Sequence, residues 1–189
     1  MQPQMPPPAR ANRSAARWVV WLGLALAGLS AIAGMRSAAP VQTGLEGTQA
    51  PDFTLPRMDL GATRPRSGPK ALGGRALLLH FWAPSCAPCQ AELPLWQSLA
   101  DEASQPGATF AVLTVTAEGD AELRPYLAKN RFTFAVVGDE NGAVHEAYHV
   151  AGIPHTVAVS RSGVIVRELV GAHDAAELRA ALDAALQAR

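Results

Sequence analysis

The order of apolar runs in this chain of 189 residues predicts an α/β protein, a mixed β-sheet with helices on both sides, carried behind an N-terminal transmembrane anchor. Three observations predict it. Residues 76–82 (ALLLHFW) and 109–116 (TFAVLTVT) are apolar at nearly every position, which suits strands covered on both faces. Residues 92–103 supply a helix between them, making a βαβ unit. Residues 18–35 (WVVWLGLALAGLSAIAGM) carry no charge over 18 positions, about 27 Å of helix, enough to cross a bilayer core.

Taken in order, residues 1–17 form a basic tail whose Pro- and Gln-rich start lacks apolar content and reads as disordered. Arg10, Arg13 and Arg17 precede the span at 18–35 and only Arg36 closely follows, so the positive-inside bias keeps the tail in the cytoplasm and sends the rest outward. A cleaved signal peptide is the alternative, with Ala31-Ile32-Ala33 as a small-x-small cleavage pattern. The run exceeds the usual h-region of about 7–15 residues, which favours the uncleaved anchor. Residues 36–50 lack periodicity and read as a tether. The folded domain is then 51–189.

Within it, 52–55 alternates as a short edge strand, and the Gly, Pro and Arg cluster at 61–74 reads as loop. After the βαβ unit, Leu123 and Leu127 at i, i+4 mark a helix over 120–130, followed by a strand at 132–137 and a Gly-Asp-Glu-Asn-Gly turn at 138–142. A short helix over 143–149 ends near Gly152. Strands at 156–159 and 164–170 flank Ser160-Arg161-Ser162-Gly163, a turn suited to an antiparallel hairpin. Asp174 caps a final amphipathic helix with Leu178, Leu182 and Leu186 on one face.

The 16 basic and 16 acidic residues balance, so no global field argues for nucleic acid as a partner. The balance hides an asymmetry: residues 1–36 hold four arginines and no acid, which leaves the exported part acidic. Export places the chain in an oxidising compartment, where two lone cysteines would ordinarily make a structural bridge. Their spacing argues otherwise.

The two cysteines are Cys86 and Cys89, three apart, after a strand and before a helix. Unpaired N–H groups and the macrodipole at a helix N-terminus favour a thiolate over a thiol, which makes Cys86 the nucleophile and Cys89 its resolving partner. The pair cycles between dithiol and disulfide. Pro88 suits the first helical turn, since it fixes φ and lacks an N–H that would go unpaired there. Resolution requires Cys89 to lose its proton, and a buried thiol gives it up reluctantly. Glu92, three residues on and on nearly the same helix face, is a candidate acceptor, or an exposed first-turn acid that merely suits the dipole. His80, six before Cys86 on the strand, is a second candidate able to shuttle protons near neutral pH, or a core imidazole satisfied by backbone.

Four segments in this order, Pro51-Asp52-Phe53-Thr54-Leu55, Phe81-Trp82-Ala83-Pro84-Ser85-Cys86-Ala87-Pro88-Cys89, Glu92-Leu93-Pro94 and Gly152-Ile153-Pro154-His155-Thr156, resemble the thioredoxin superfamily, and more narrowly its membrane-tethered TlpA, ResA and DsbE branch. The resemblance implies a thioredoxin-like fold over 51–189 and a thiol-disulfide oxidoreductase. It puts substrate beside Trp82, Pro88, Ile153 and a cis Pro154, makes Pro94 a helix-kinking proline, and matches Glu92 to the branch's functional acid. His80 departs from it, standing where relatives carry Asp or Asn, and so does Ser85, where relatives commonly carry Trp. The implied partners are exported protein thiols and disulfides, apocytochrome c among them, and a membrane electron donor of the DsbD or CcdA type. The implied location is the cytoplasmic membrane, with the domain on the periplasmic side. No cofactor is implied beyond the redox-active Cys86–Cys89 disulfide. A disulfide oxidase of the same fold is the nearest alternative.

Two metal readings compete. His145-Glu146-Ala147-Tyr148-His149 satisfies H-E-x-x-H, but the predicted helix is short, with Gly152 and Pro154 directly behind it, and we assign no metal there. Cys86, Cys89 and His155 could converge on copper(I) or zinc, which would make the protein a copper-binding or copper-tolerance protein instead of an enzyme.

Overall fold

The two apolar runs lie side by side at the centre of a five-stranded sheet. In this computed structural model, which describes residues 43–59 and 66–188, the strands are β1 (Leu55–Pro56), β2 (Arg66–Ser67), β3 (Ala76–Phe81), β4 (Phe110–Thr116), β5 (Val136–Gly138), β6 (His155–Val159) and β7 (Ile165–Val170). The helices are α1 (Ala87–Ala103), α2 (Asp120–Asn130), α3 (Ala143–Ala147) and α4 (Ala175–Gln187), with a 3₁₀ turn at Pro69–Leu72. The tail at 1–17, the span at 18–35 and the first part of the tether lie outside the described residues. Among the described residues no helix is long and apolar enough to cross a membrane.

The main sheet runs β5-β4-β3-β6-β7. β3 pairs parallel with β4 (Leu79 opposite Leu113) and antiparallel with β6 (Leu79 opposite Val157), so it is flanked on both edges and buried at every residue. Its continuous apolar run is the signature of that position. β6 and β7 form the expected antiparallel hairpin, turned through Ser160–Gly163, where Gly163 takes a φ of 85° that a side chain would resist.

Alternation along β3 divides the core. Ala76, Leu78 and Trp82 pack with Leu93, Trp96 and Leu99 of α1, Leu123 and Leu127 of α2 and Leu178 and Leu182 of α4. Leu77, Leu79 and Phe81 face the other way, onto Val144 of α3, Tyr148 and, from the N-terminal segment, Leu45, Phe53 and Leu55. Helices do lie on both sides, but α3 has only five residues. It is too short to cover a sheet face, and extended chain completes the cover.

That corrects the tether. Residues 43–50 belong to the fold: Gly47 N donates to Ile165 O at 2.8 Å, Ile165 N to Thr48 O at 2.9 Å and Ala50 N to Gly163 O at 2.8 Å. Thr43 N and Oγ1 both donate to the Glu168 carboxylate. The segment also shields the β7 edge, which unpaired would invite association. Element boundaries differ as well, three of them by more than two residues or in their pairing. The edge strand expected at 52–55 is Leu55–Pro56, paired with β2, which lies within the stretch 61–74 expected as loop. β5 begins only at Val136, because Phe132 and Phe134 turn into an aromatic cluster with Tyr126 and Trp82. Helix α1 begins five residues before Glu92, at the cysteines themselves. At α4 the cap is as expected: Asp174 accepts from Ala176 N and Glu177 N, each at 2.9 Å, and Glu177 returns the bond to Asp174 N.

Candidate active site

Cys86 is the N-cap of α1. Its backbone is extended (φ −84°, ψ 105°), and its Sγ accepts the N–H of Cys89 at 3.2 Å. Pro88 falls in the first turn, where no intrahelical partner exists for an N–H. The two cysteines are joined as a disulfide with Cα atoms 5.2 Å apart. Cys86 is half-buried, whereas Cys89 is fully enclosed. The helix repeat explains the difference, since Cys89, Glu92, Leu93, Trp96 and Leu99 all fall on the face of α1 that packs against the sheet. One sulfur faces outward and the other backs it from within.

Glu92 is inside, not on the surface, at 3% exposure. One carboxylate oxygen accepts the backbone N–H of His173, from the loop between β7 and α4. The other makes no well-aligned hydrogen bond and lies 4.0 Å from His80 Nε2, with the Trp96 indole close enough to favour the carboxylate. Burial raises the Glu92 pKa above its ordinary value, while the His173 amide, by favouring the carboxylate, opposes the rise. This placement excludes the exposed first-turn acid as its role.

His80 is fully buried, its Nδ1 3.2 Å from Thr156 Oγ1 and its ring stacked on Trp96 with centroids 4.2 Å apart. Burial, helped by the neighbouring His155, pushes its pKa down to about 3. The imidazole is therefore neutral at physiological pH, which corrects the expectation that it shuttles protons near neutrality. Desolvation of the imidazolium is the reason. Its hydrogen-bond partner is a side-chain hydroxyl and not backbone, the contact expected of a core histidine.

The Ile153–Pro154 bond is cis. The Ile153 carbonyl lies 3.9 Å from Cys86 Sγ, so this loop flanks the outer sulfur. Around it Ser85, Ala87, Pro88, Ala151 and Gly152 are exposed and none carries a charge. Pro94 lies exposed within α1. Trp82 requires a correction. It is completely enclosed, donates Nε1–H to Thr114 Oγ1 at 3.1 Å and packs on Phe134 and Tyr126, so it offers no surface to a substrate.

His155 does not converge with the cysteines. Its ring turns to the opposite side of the sheet, 5.9 Å from Phe81 by centroids and 3.9 Å from Glu168 Oε1. That corrects the three-ligand copper reading, and among the described residues no group of three or more His, Cys, Asp or Glu is arranged to hold a metal. The H-E-x-x-H imidazoles are engaged separately: His145 Nδ1 with Asp139 at 2.7 Å, and His149 Nδ1 with the Thr43 carbonyl at 3.2 Å.

Two neighbours of the site were not singled out from sequence. Trp96 was within reach, since it is seven residues after Cys89 and four after Glu92 on one helix face. His173 carried no signal. It stands in no motif, and its contact with Glu92 spans 81 residues of chain.

Comparison with known proteins gives a consistent result. A model of the AhpC/TSA family matches residues 47–168. The thioredoxin-like protein YneN of Bacillus subtilis is 32% identical over 139 residues, 73% of this chain and 79% of that one. The thiol-disulfide oxidoreductase ResA of Oceanobacillus iheyensis is 30% identical over 127 residues, 67% of this chain and 65% of that one, so the chain spans just under two thirds of that relative. The crystal structure of StoA from Bacillus subtilis superposes with a TM-score of 0.58 at 25% identity, over 70% of this chain and 96% of that one.

Proposed function

This chain belongs to the AhpC/TSA family and is a thiol-disulfide oxidoreductase of the ResA and StoA type with a thioredoxin-like fold, and from that premise we propose that it works as an exported, membrane-tethered reductant of protein disulfides. The observation that carries the chemistry is the pairing of a half-buried Cys86 at the helix N-cap with a fully buried Cys89 one turn inside. Outward, an accessible sulfur can attack a protein disulfide. Inward, the second is shielded until the first has reacted.

In this reading the Cys86 thiolate attacks a substrate disulfide, forming a mixed disulfide and releasing one substrate thiol. Cys89 gives its proton to Glu92 and attacks Cys86 Sγ. The enzyme disulfide forms, the mixed bond breaks and the second substrate thiol leaves, so the enzyme loses the two electrons the substrate gains. Glu92 suits the acceptor role because its buried carboxyl has a raised proton affinity, nearer to that of a thiol. His80 stays neutral beside it. The backbone of Ile153, next to Pro154 and 3.9 Å from Cys86 Sγ, offers an edge on which an extended substrate segment pairs by strand addition.

The apolar run at 18–35 supports a single-pass anchor in the cytoplasmic membrane with the domain on the periplasmic side. The substrates are exported proteins with paired cysteines, apocytochrome c among them, and a membrane donor of the DsbD or CcdA type returns the enzyme to its dithiol form. The only redox group required is the Cys86–Cys89 pair. Expression of the full-length Cys89→Ser variant tests this: it should accumulate mixed disulfides with exported C-x-x-C proteins, and Cys86→Ser should accumulate none. Trapping by Cys86→Ser, or trapped partners confined to the cytoplasm, refutes the proposal.

A further inference from the structure

We propose that the His173 imidazole is the port through which the proton received by Glu92 passes to solvent, which makes His173 a positioning residue of the release step. The inference rests on Glu92 being the acceptor for Cys89.

A buried acid that takes up a proton in every cycle must also return it, and Glu92 is walled in. Two imidazoles flank it. His80 leads inward: its ring is fully buried, and its one hydrogen bond goes to Thr156, itself 2% exposed. His173 leads outward. Side-chain exposure rises from 4% at Glu92 to 18% at His173 and 55% at Glu177. His173 Nδ1 lies 3.2 Å from Glu177 Oε2, yet neither ring nitrogen makes a well-aligned hydrogen bond. The ring's contact is thus with the exposed Glu177 carboxylate, while its own backbone N–H holds Glu92. A partly exposed imidazole set between an enclosed carboxyl and an exposed one is placed to take a proton from the first side and give it up on the other. Imidazole is the side chain best suited to exchange protons near neutral pH.

The ionisable groups around the path are few. Glu92 faces His80 from β3, His173 from the loop after β7 and Glu177 from α4, with Cys89 on its own helix; His173 faces Glu92 and Glu177. Burial raises the proton affinity of Glu92, so the neutral acid persists long enough to need a route out.

In the step itself Cys89 Sγ–H loses its proton to a Glu92 carboxylate oxygen, and the sulfur attacks Cys86. His173 accepts that proton on one ring nitrogen and releases one from the other toward Glu177 and water. No further electrons move.

The test is stopped-flow reaction of the reduced full-length protein with a fluorescently labelled peptide disulfide, which resolves the attack of Cys86 from the release by Cys89. His173→Gln and His173→Ala preserve the backbone N–H to Glu92. Because Glu92 has to be emptied through the port before it can take the Cys89 proton, both should leave the first step unchanged and slow the second by about a hundredfold, and imidazole added to the buffer should restore the second step in His173→Ala. A second step at the wild-type rate, or a slowed one that imidazole does not restore, overturns the port. Glu92→Gln separates the two ideas. If its release profile against pH matches the wild type, the acceptor reading fails and the port with it; if the profile changes while the His173 variants behave as wild type, only the port fails.

Discussion

Replacing Thr114 by Val keeps the side chain's shape but removes the oxygen that accepts Trp82 Nε1–H at 3.1 Å. Thr114 Oγ1 also donates to Ala135 O, but that carbonyl keeps the Thr114 amide at 2.8 Å. The indole N–H is therefore the one group stranded. Trp82 and Thr114 are both fully buried, so no water replaces the lost partner. Stranding a buried donor costs about 1–3 kcal/mol. A loss near 2 kcal/mol corresponds to a Tm lower by about 4–8 °C for a domain of this size. Trp82→Phe removes the donor itself, so the double variant should be more stable than the sum of the singles by about 1 kcal/mol. Thermal and urea unfolding of the oxidised protein give these numbers, and the KM for a peptide disulfide is measured alongside. Because Trp82 has no exposed surface, KM should stay at the wild-type value in Trp82→Phe. Strict additivity of the two substitutions, or a raised KM with unchanged stability, would refute the placement.

Three further outcomes follow from the buried network. His80 has a native pKa of about 3 against an ordinary 6.5, so the unfolded chain binds the extra proton. Stability should be fully present above about 6.5 and be lost as pH falls from there toward about 3; His80→Asn should flatten that slope, and urea midpoints that keep it contradict the assignment. Glu92 acts in the opposite sense. Its raised native value means that stability declines as pH rises from the unfolded value of about 4.3 through the native one, so Glu92→Gln should have a higher urea midpoint than wild type at neutral pH, and an equal or lower one refutes the account. Glu168→Ala removes the acceptor of both Thr43 bonds, each worth about 1.5–3 kcal/mol to a charged group. Proteolysis within 43–50 should then quicken by about tenfold or more, since 1.4 kcal/mol is a factor of ten; an unchanged cleavage rate would detach the segment from Glu168.

Much of the fold was legible because local rules and tertiary demands coincide in it. The buried runs of β3 and β4 could belong only to central strands, the Leu123 and Leu127 spacing marked α2 over its observed span, and Asp174 capped α4 as its chemistry requires. Boundaries slipped where local signals were weak. The segment at 43–50 has no pattern of its own, because its order comes from hydrogen bonds to β7, more than a hundred residues away in sequence. The apolar repeat by itself marked only the later part of α1, from Glu92 on, whereas its start was legible from Cys86 and from Pro88, whose missing N–H suits a first turn.

At the site, sequence alone determined which two sulfurs can form the redox pair, since there are two cysteines, and which one opens the helix, since order along the chain sets direction. It also determined that Glu92 follows Cys89 on the same helix face. Tertiary packing alone decided the rest: that Glu92 is enclosed, that Trp82 is core, that His155 turns away from the cysteines and that His173 comes to Glu92. The physical reason is range. Helical periodicity and capping act over a few residues and are written in local spacing, whereas desolvation and proton affinity depend on which distant segments close over a group, and no short stretch of chain contains that information.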